Sequence, residues 1–196
     1  MRFFLTKTTL ILFVLSCGED KKSTIETNIH TGTTSINLLE YTEDFSDMVW
    51  TREDVIVEDN CVESPEIRPS ADLIDLTKNK KSRIYQMIPE LDQGYYVFSI
   101  YIKAIRGQEG TFPITAFSKG KNGEYNNKLV KINSQVWTRA IVRVSQDSMG
   151  DIVVYPGNGM VKGATLKKAY IWGAQLERLD SLTENPKPYS GRNIIE

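Results

Sequence analysis

Few residues of this 196-residue chain are equipped for acid–base or metal chemistry. There is one histidine, His30, and there are two cysteines, Cys17 and Cys61. His30 falls in a polar stretch ahead of the first strand-like segment, so histidine chemistry is missing from the body of the chain. No Gly-x-Ser-x-Gly elbow, phosphate loop or Cys–His pair occurs. Cys61 has no neighbour in sequence that would activate it and reads as a small buried or half-buried residue. Asp and Glu are plentiful, yet none stands in a recognisable acid/base context for glycoside hydrolysis. These residues predict a protein that is not an enzyme.

Binding chemistry is better represented. In "YYVFSIYIKA" (95–104), alternation puts Tyr96, Phe98, Ile100 and Ile102 on a core side. Tyr95, Val97, Ser99, Tyr101 and Lys103 then lie on the other. In "WTRAIVRV" (137–144), Ala140, Val142 and Val144 form the core set, and Trp137, Arg139, Ile141 and Arg143 point outward. Sugars dock their C–H faces on aromatic rings, while Arg, Lys and Gln bond to hydroxyls. Tyr101, Lys103, Trp137, Arg139 and Arg143 are therefore candidate ligand-binding residues. The plainer reading has Trp137 capping the sandwich edge and Arg139 bonding to a carboxylate or a loop carbonyl.

A third strand-like segment, "YIWGAQLE" (170–177), completes the set. Strict alternation puts Tyr170, Trp172, Ala174 and Leu176 on one face and Ile171, Gly173, Gln175 and Glu177 on the other. Trp172 is expected in the core, Gly173 to admit a close neighbour, and Gln175 to be available for binding.

The elements that must position these residues are strands. "DVIVED" (54–59), "SRIYQMI" (82–88), "TFPITAF" (111–117) and "DIVVYP" (151–156) join those already quoted. They are rich in Val, Ile, Tyr, Phe and Thr, and turn sequences such as "KNGE" and "PGNG" separate them. No apolar helical period is sustained, and no repeat appears. The expected fold is all-β, an antiparallel β-sandwich of jelly-roll type. With 40% hydrophobic and 25% charged residues, a packed core is within reach. A net charge of -1, with Lys and Arg scattered, argues against nucleic acid as a partner.

The N-terminus is of a different kind. Arg2 and Lys7 precede a short apolar run, Leu10 to Leu15, too short to span a bilayer and suited to a signal-peptide core. "VLSC" resembles the bacterial lipobox, which implies a signal peptide over 1–16 and lipidation of Cys17. Leu15 is a less typical occupant of its place. With Cys17 lipidated, Cys61 has no partner for an internal disulfide. Residues 17–35 read as the lipidated cysteine and a flexible tether. Glu19-Asp20 resembles the signal that sends Bacteroidetes lipoproteins to the outer face of the outer membrane. The expectation is an outer-membrane, surface-exposed lipoprotein that meets the membrane only through its lipid anchor.

Four segments carry a further resemblance. "NLLEYTEDFSDMVWTR" (37–52), "YYVFSIYIKA", "WTRAIVRV" and "AYIWGAQLE" together resemble a domain common in phage virion proteins and bacterial surface proteins. That family is a jelly roll similar to carbohydrate-binding modules, and the match covers about residues 36–178. The tail "NPKPYSGRNIIE" departs from the family's usual Tyr-Ile-Pro ending. A jelly-roll domain over 36–180 and an irregular tail over 181–196 follow. A Tyr-x-Lys element also occurs in jelly-roll polysaccharide lyases, but their Gln-x-His element has no histidine here to supply it. The resemblance implies no cofactor beyond the structural Ca²⁺ such jelly rolls often hold, for which Glu43 and Asp44 offer oxygens. No loop has diagnostic ligand spacing. Two functions fit: a surface module binding a glycan, or an assembly module contacting a surface protein and no sugar.

Overall fold

The computed structural model describes residues 36–191. The signal segment, Cys17, Glu19-Asp20 and His30 lie outside the described residues, as do 192–196 of the tail. The chain divides into two units, Met1–Thr33 and Thr34–Glu196, and every described residue belongs to the second.

Ten strands carry the fold: β1 (Thr51–Glu53), β2 (Ile56–Glu63), β3 (Pro69–Asp75), β4 (Arg83–Leu91), β5 (Gly94–Lys103), β6 (Glu109–Ser118), β7 (Glu124–Asn133), β8 (Thr138–Gln146), β9 (Gly150–Asn158) and β10 (Lys168–Leu179). They form two five-stranded sheets, ordered β1-β4-β9-β6-β7 (sheet A) and β2-β3-β10-β5-β8 (sheet B). Every paired neighbour is antiparallel. No described residue is helical. The antiparallel jelly-roll sandwich read from the sequence is the fold found.

Between the sheets lies one apolar cluster. Sheet B contributes Phe98, Ile100, Ile102, Ala140, Val142, Val144, Ile171, Ala174 and Leu176. Sheet A answers with Ile84, Phe112, Ile114, Ala116, Val130, Ile152 and Val154. Period-two alternation aims these side chains inward, and removing them from water is the main driving force for closing the sandwich. The inward sets expected for β5 and β8 are all buried here.

Three strands escaped the sequence reading. β1 has only three residues. In β3, "PSADLID", the acids Asp72 and Asp75 are buried among apolar residues and hide the alternation. β7 is an edge strand that gives the core only Val130 and Ile132 and leaves most of its length in water. Edge strands need no continuous apolar face, so pattern reading finds them last.

β10 corrects the alternation predicted for it. Trp172 pairs with Tyr101, but the next register pair is Gln175 with Ser99. Two residues of β10, Gly173 and Ala174, therefore stand against Ile100 alone. Gly173 has φ 63°, in the left-handed region that glycine enters without a side-chain clash. The bulge flips the phase of the strand. Ile171, Ala174 and Leu176 face the core, while Trp172, Gln175 and Glu177 share the outer face. Trp172 is buried, as expected, but it is not part of the core between the sheets.

Candidate functional site

The outer face of sheet B brings the predicted binding residues together. Tyr101 and Lys103 on β5 lie beside Arg139 on β8 and Trp137 just before it. The Arg139 guanidinium carbon is 5.7 Å from the Tyr101 ring centre, and Lys103 Nζ is 5.8 Å from that of Trp137. Arg139 Nη2 donates to Ser99 Oγ at 3.0 Å. These four side chains are half-buried, which is the arrangement of cations spent on neighbouring rings.

The face is not open along its length. Residues 181–191, beyond β10, run back across it. Tyr189 lies with its ring centre 4.5 Å from that of Trp172, and a Cβ added to Gly173 would stand 3.3 Å from the Tyr189 ring. The Tyr189 hydroxyl bonds Thr42 Oγ1 at 2.7 Å and donates to Glu43 Oε1 at 3.0 Å. Burial, the largest influence, holds that phenol well above its ordinary pKa. Ser190 N donates to Gln175 Oε1 at 3.0 Å, and Arg143 Nη2 donates to the Glu184 carbonyl at 2.9 Å. Two of the predicted ligand residues, Gln175 and Arg143, therefore hold the chain's own tail. Gln175 is 0% exposed and meets no external ligand while the tail is in place. What lies opposite the polar end of β10 is the C-terminal segment.

Sheet A's outer face offers the aromatic surface that the sequence reading missed. Tyr85 of β4 packs against Tyr155 of β9 at 5.3 Å between ring centres. Phe117 of β6 packs against Tyr125 of β7, also at 5.3 Å. Thr115 is opposite Tyr155 and Phe117 opposite Val153, so the two pairs are diagonal neighbours. Four rings thus cross from β4 to β7, roughly 14 Å at ordinary strand spacing, with Tyr155 buried between the part-exposed Tyr85 and Phe117. Tyr125 is 45% exposed and Met87 beside the row 48%.

Fixed polar groups frame these rings. Glu53 of β1 accepts from Arg83 Nε at 2.8 Å, from Arg83 Nη2 at 2.9 Å and from Tyr85 Oη at 3.3 Å. Asn158, wholly buried, donates through Nδ2 to Tyr125 Oη at 2.8 Å and to Thr115 Oγ1 at 3.0 Å. Thr115 Oγ1 in turn donates to Asn127 Oδ1 at 2.7 Å. Tyr125 is therefore held at both ends, by Phe117 and by Asn158, before any ligand arrives. The signal in the sequence was outward Tyr and Phe at alternate positions of several strands. It was obscured because β7 was not recognised and Tyr85 and Tyr155 sit among apolar neighbours.

A cluster of acids lies elsewhere. Asp44, Asp59 and Asp72 each bring a carboxylate oxygen within 4.8 Å of the others. Asp72 is buried, accepting from Phe45 N at 2.8 Å and Asn60 N at 2.9 Å. Desolvation, with Asp59 and Asp44 adding like charge, raises its pKa to about 6. Three hard oxygens, one of them from the desolvated Asp72 carboxylate, suit a Ca²⁺ ion, and Asp44, Asp59 and Asp72 would hold it. Of the two acids named from sequence, Asp44 joins this cluster. Glu43 is committed to Tyr189 and Arg68.

The pH consequence has a definite sign. Asp72 binds its proton more tightly folded than unfolded, where a carboxyl titrates near 3.9. In metal-free buffer the burial penalty is absent below about pH 4 and complete above about pH 6, so stability falls as pH rises through that window. A difference of about two pKa units corresponds to about 2–3 kcal/mol. Denaturant unfolding at pH 4 and 6.5 should show this fall, and Asp72→Asn should flatten it. An unchanged profile in the variant would refute the assignment.

Cys61 differs from expectation. It is exposed on edge strand β2, where its thiol donates to the Glu58 carbonyl at 3.2 Å. The register of β2 against β3 shifts between Glu58 and Val62, which turns Cys61 out of the packed region.

Comparison with known proteins agrees with the architecture. No protein-family model matches the chain, and no curated protein matches it. Among solved structures, the CBM22-1 xylan-binding domain of Paenibacillus barcinonensis Xyn10C superposes with TM-score 0.52 at 12% identity, over 75% of this chain and 94% of that one. The CBM22-1–CBM22-2 tandem domain of the same protein gives 0.53 at 14% identity, over 79% and 49%. A further CBM22 xylan-binding domain gives 0.51 at 14%, over 72% and 94%. The fold is a carbohydrate-binding-module-like jelly roll. At such identities the likeness concerns the path of the backbone alone.

Proposed function

We propose that the chain is a non-catalytic glycan-binding module that lays a saccharide along the outer face of sheet A. The observation that carries this reading is the set of part-exposed rings of Tyr85, Phe117 and Tyr125, backed by the buried Tyr155 and framed by Glu53, Arg83 and Asn127. Rings supply surface for the C–H faces of sugars. A carboxylate and a guanidinium already fixed to each other supply an acceptor and donors for hydroxyls at little ordering cost. The xylan-binding modules of similar fold make xylan the first ligand to try. Tyr125→Ala and Tyr85→Ala should each weaken binding by at least about 1 kcal/mol, the scale on which interface aromatics act. Isothermal titration against a ligand found by glycan array would measure it. Full affinity in both variants would remove sheet A from consideration.

The lipobox and acidic pair support a surface lipoprotein, a setting in which such a module meets glycans outside the cell. Labelled palmitate should enter the wild type and not Cys17→Ser, and equal labelling would refute the anchor. The assembly-module reading has its own support in the groove on sheet B, which is already filled by a peptide segment.

A further inference from the structure

The tail shows what the outer face of sheet B accepts. Its residues Pro186, Lys187, Pro188, Tyr189 and Ser190 form no helix or strand. Prolines on either side of Lys187 hold such a segment extended and lower the entropy lost when it docks. The groove answers each part of it. Trp172 and the bare backbone of Gly173 receive the Tyr189 ring, and Thr42 and Glu43 take its hydroxyl. The Gln175 side-chain carbonyl takes the Ser190 N–H, Asn37 Nδ2 reaches the Ser190 carbonyl at 3.5 Å, and Arg143 holds the Glu184 carbonyl. Ring, hydroxyl and main chain are all read, in the manner of grooves that bind proline-rich peptides.

The fit is incomplete. Gln175 Nε2 and the Nε atoms of Arg139 and Arg143 are buried with no acceptor among the described residues. A buried donor left unpaired is costly, so the tail does not exhaust what the groove offers. These three atoms are donors on a face they share with the buried Glu177 carboxylate, which accepts from Lys187 N at 3.4 Å, and a peptide bringing another carbonyl there would satisfy what the tail leaves.

We propose that the outer face of sheet B is a peptide-recognition groove for an extended Pro-x-Pro-Tyr-Ser segment, which the chain fills with its own tail and which a second such segment can enter when that tail lifts. The groove is separate from the saccharide face on sheet A, so the two stand or fall independently. The probe is a fluorescein-labelled peptide of residues 181–196, titrated by anisotropy into the full chain carrying Tyr189→Ala and into wild type. The variant should bind at least tenfold more tightly than wild type, whose groove is occupied. Gln175→Ala added to the variant should lower the affinity again, and a Tyr189→Ala peptide should fail to bind. Equal binding to both chains, or none to a folded Tyr189→Ala chain, would overturn the proposal. Native-state hydrogen exchange on wild type removes dependence on the variant's folding. The Ser190 amide should open well before the amides of β10; release only with global unfolding would show a tail that never vacates the groove.

Discussion

Trp172→Ala should destabilise the domain by about 3–5 kcal/mol, the range for truncating a buried large aromatic, although Trp172 lies outside the core between the sheets. Its ring is 1% exposed, stands 5.7 Å from that of Tyr101 and 4.5 Å from that of Tyr189, and its indole N–H donates to Ser70 Oγ at 3.1 Å. Truncation opens a cavity, leaves the tail's tyrosine without its platform and orphans a hydroxyl on β3. Urea unfolding followed by far-UV circular dichroism would give the number. Trp137→Ala is the internal control. Trp137 is half-buried beside Lys103, so its loss should fall well below that of Trp172. If the two variants unfold together, Trp137 belongs to the packing and the contrast fails.

Trp50→Ala should cost a similar amount, again about 3–5 kcal/mol, from a residue that belongs to no strand. The segment from Asn37 to Trp50 has no regular structure, yet Leu39, Phe45 and Trp50 are all buried. Trp50 packs on Phe45 with ring centres 4.9 Å apart and donates its indole N–H to the Tyr41 carbonyl at 3.0 Å. The same segment supplies Thr42 and Glu43 to Tyr189 and the Phe45 N–H to Asp72. Its collapse should therefore loosen the tail and disturb the acid cluster, which a melting curve and hydrogen exchange at Ser190 would report together. A Trp50→Ala domain of wild-type stability would mean that the segment is only draped on the sandwich.

The sandwich was legible because its inner faces obey a simple rule. Phe98, Ile100 and Ile102, or Ala140, Val142 and Val144, can be assigned from alternation alone, since one face must leave water. The rule fails where backbone geometry changes phase. At Gly173 the bulge transfers Trp172 from the expected inward set to the outer one, and only a φ of 63° reveals it. The predicted binding residues were brought to one face, as alternation requires. That the face would be covered by Tyr189 and Ser190 was not legible, because the contacts join residues without regular structure to β10 through side chains. The aromatic row of sheet A depends on β7 and on cross-strand register, and neither is written locally in the sequence. Asp72 illustrates the same limit. A buried carboxylate between two other acids reads as a break in a strand until its partners from β2 and from the Asn37–Trp50 segment are placed around it.

Asn37 joins the two ends of the described region. Its side chain donates to the Ala174 carbonyl at 3.0 Å and reaches the Ser190 carbonyl at 3.5 Å, while its Oδ1 accepts from Leu176 N at 3.1 Å. The first and last described stretches thus lie side by side against one strand. A domain with adjacent ends behaves as a cassette: it can be spliced into an exposed loop of a host protein without prising the host apart, and new ends can be cut at a hairpin once a short linker joins the old ones. The "KNGE" turn between β6 and β7 is a natural place for that cut. There a permuted chain would keep every sheet contact and would make the tail an internal crossing.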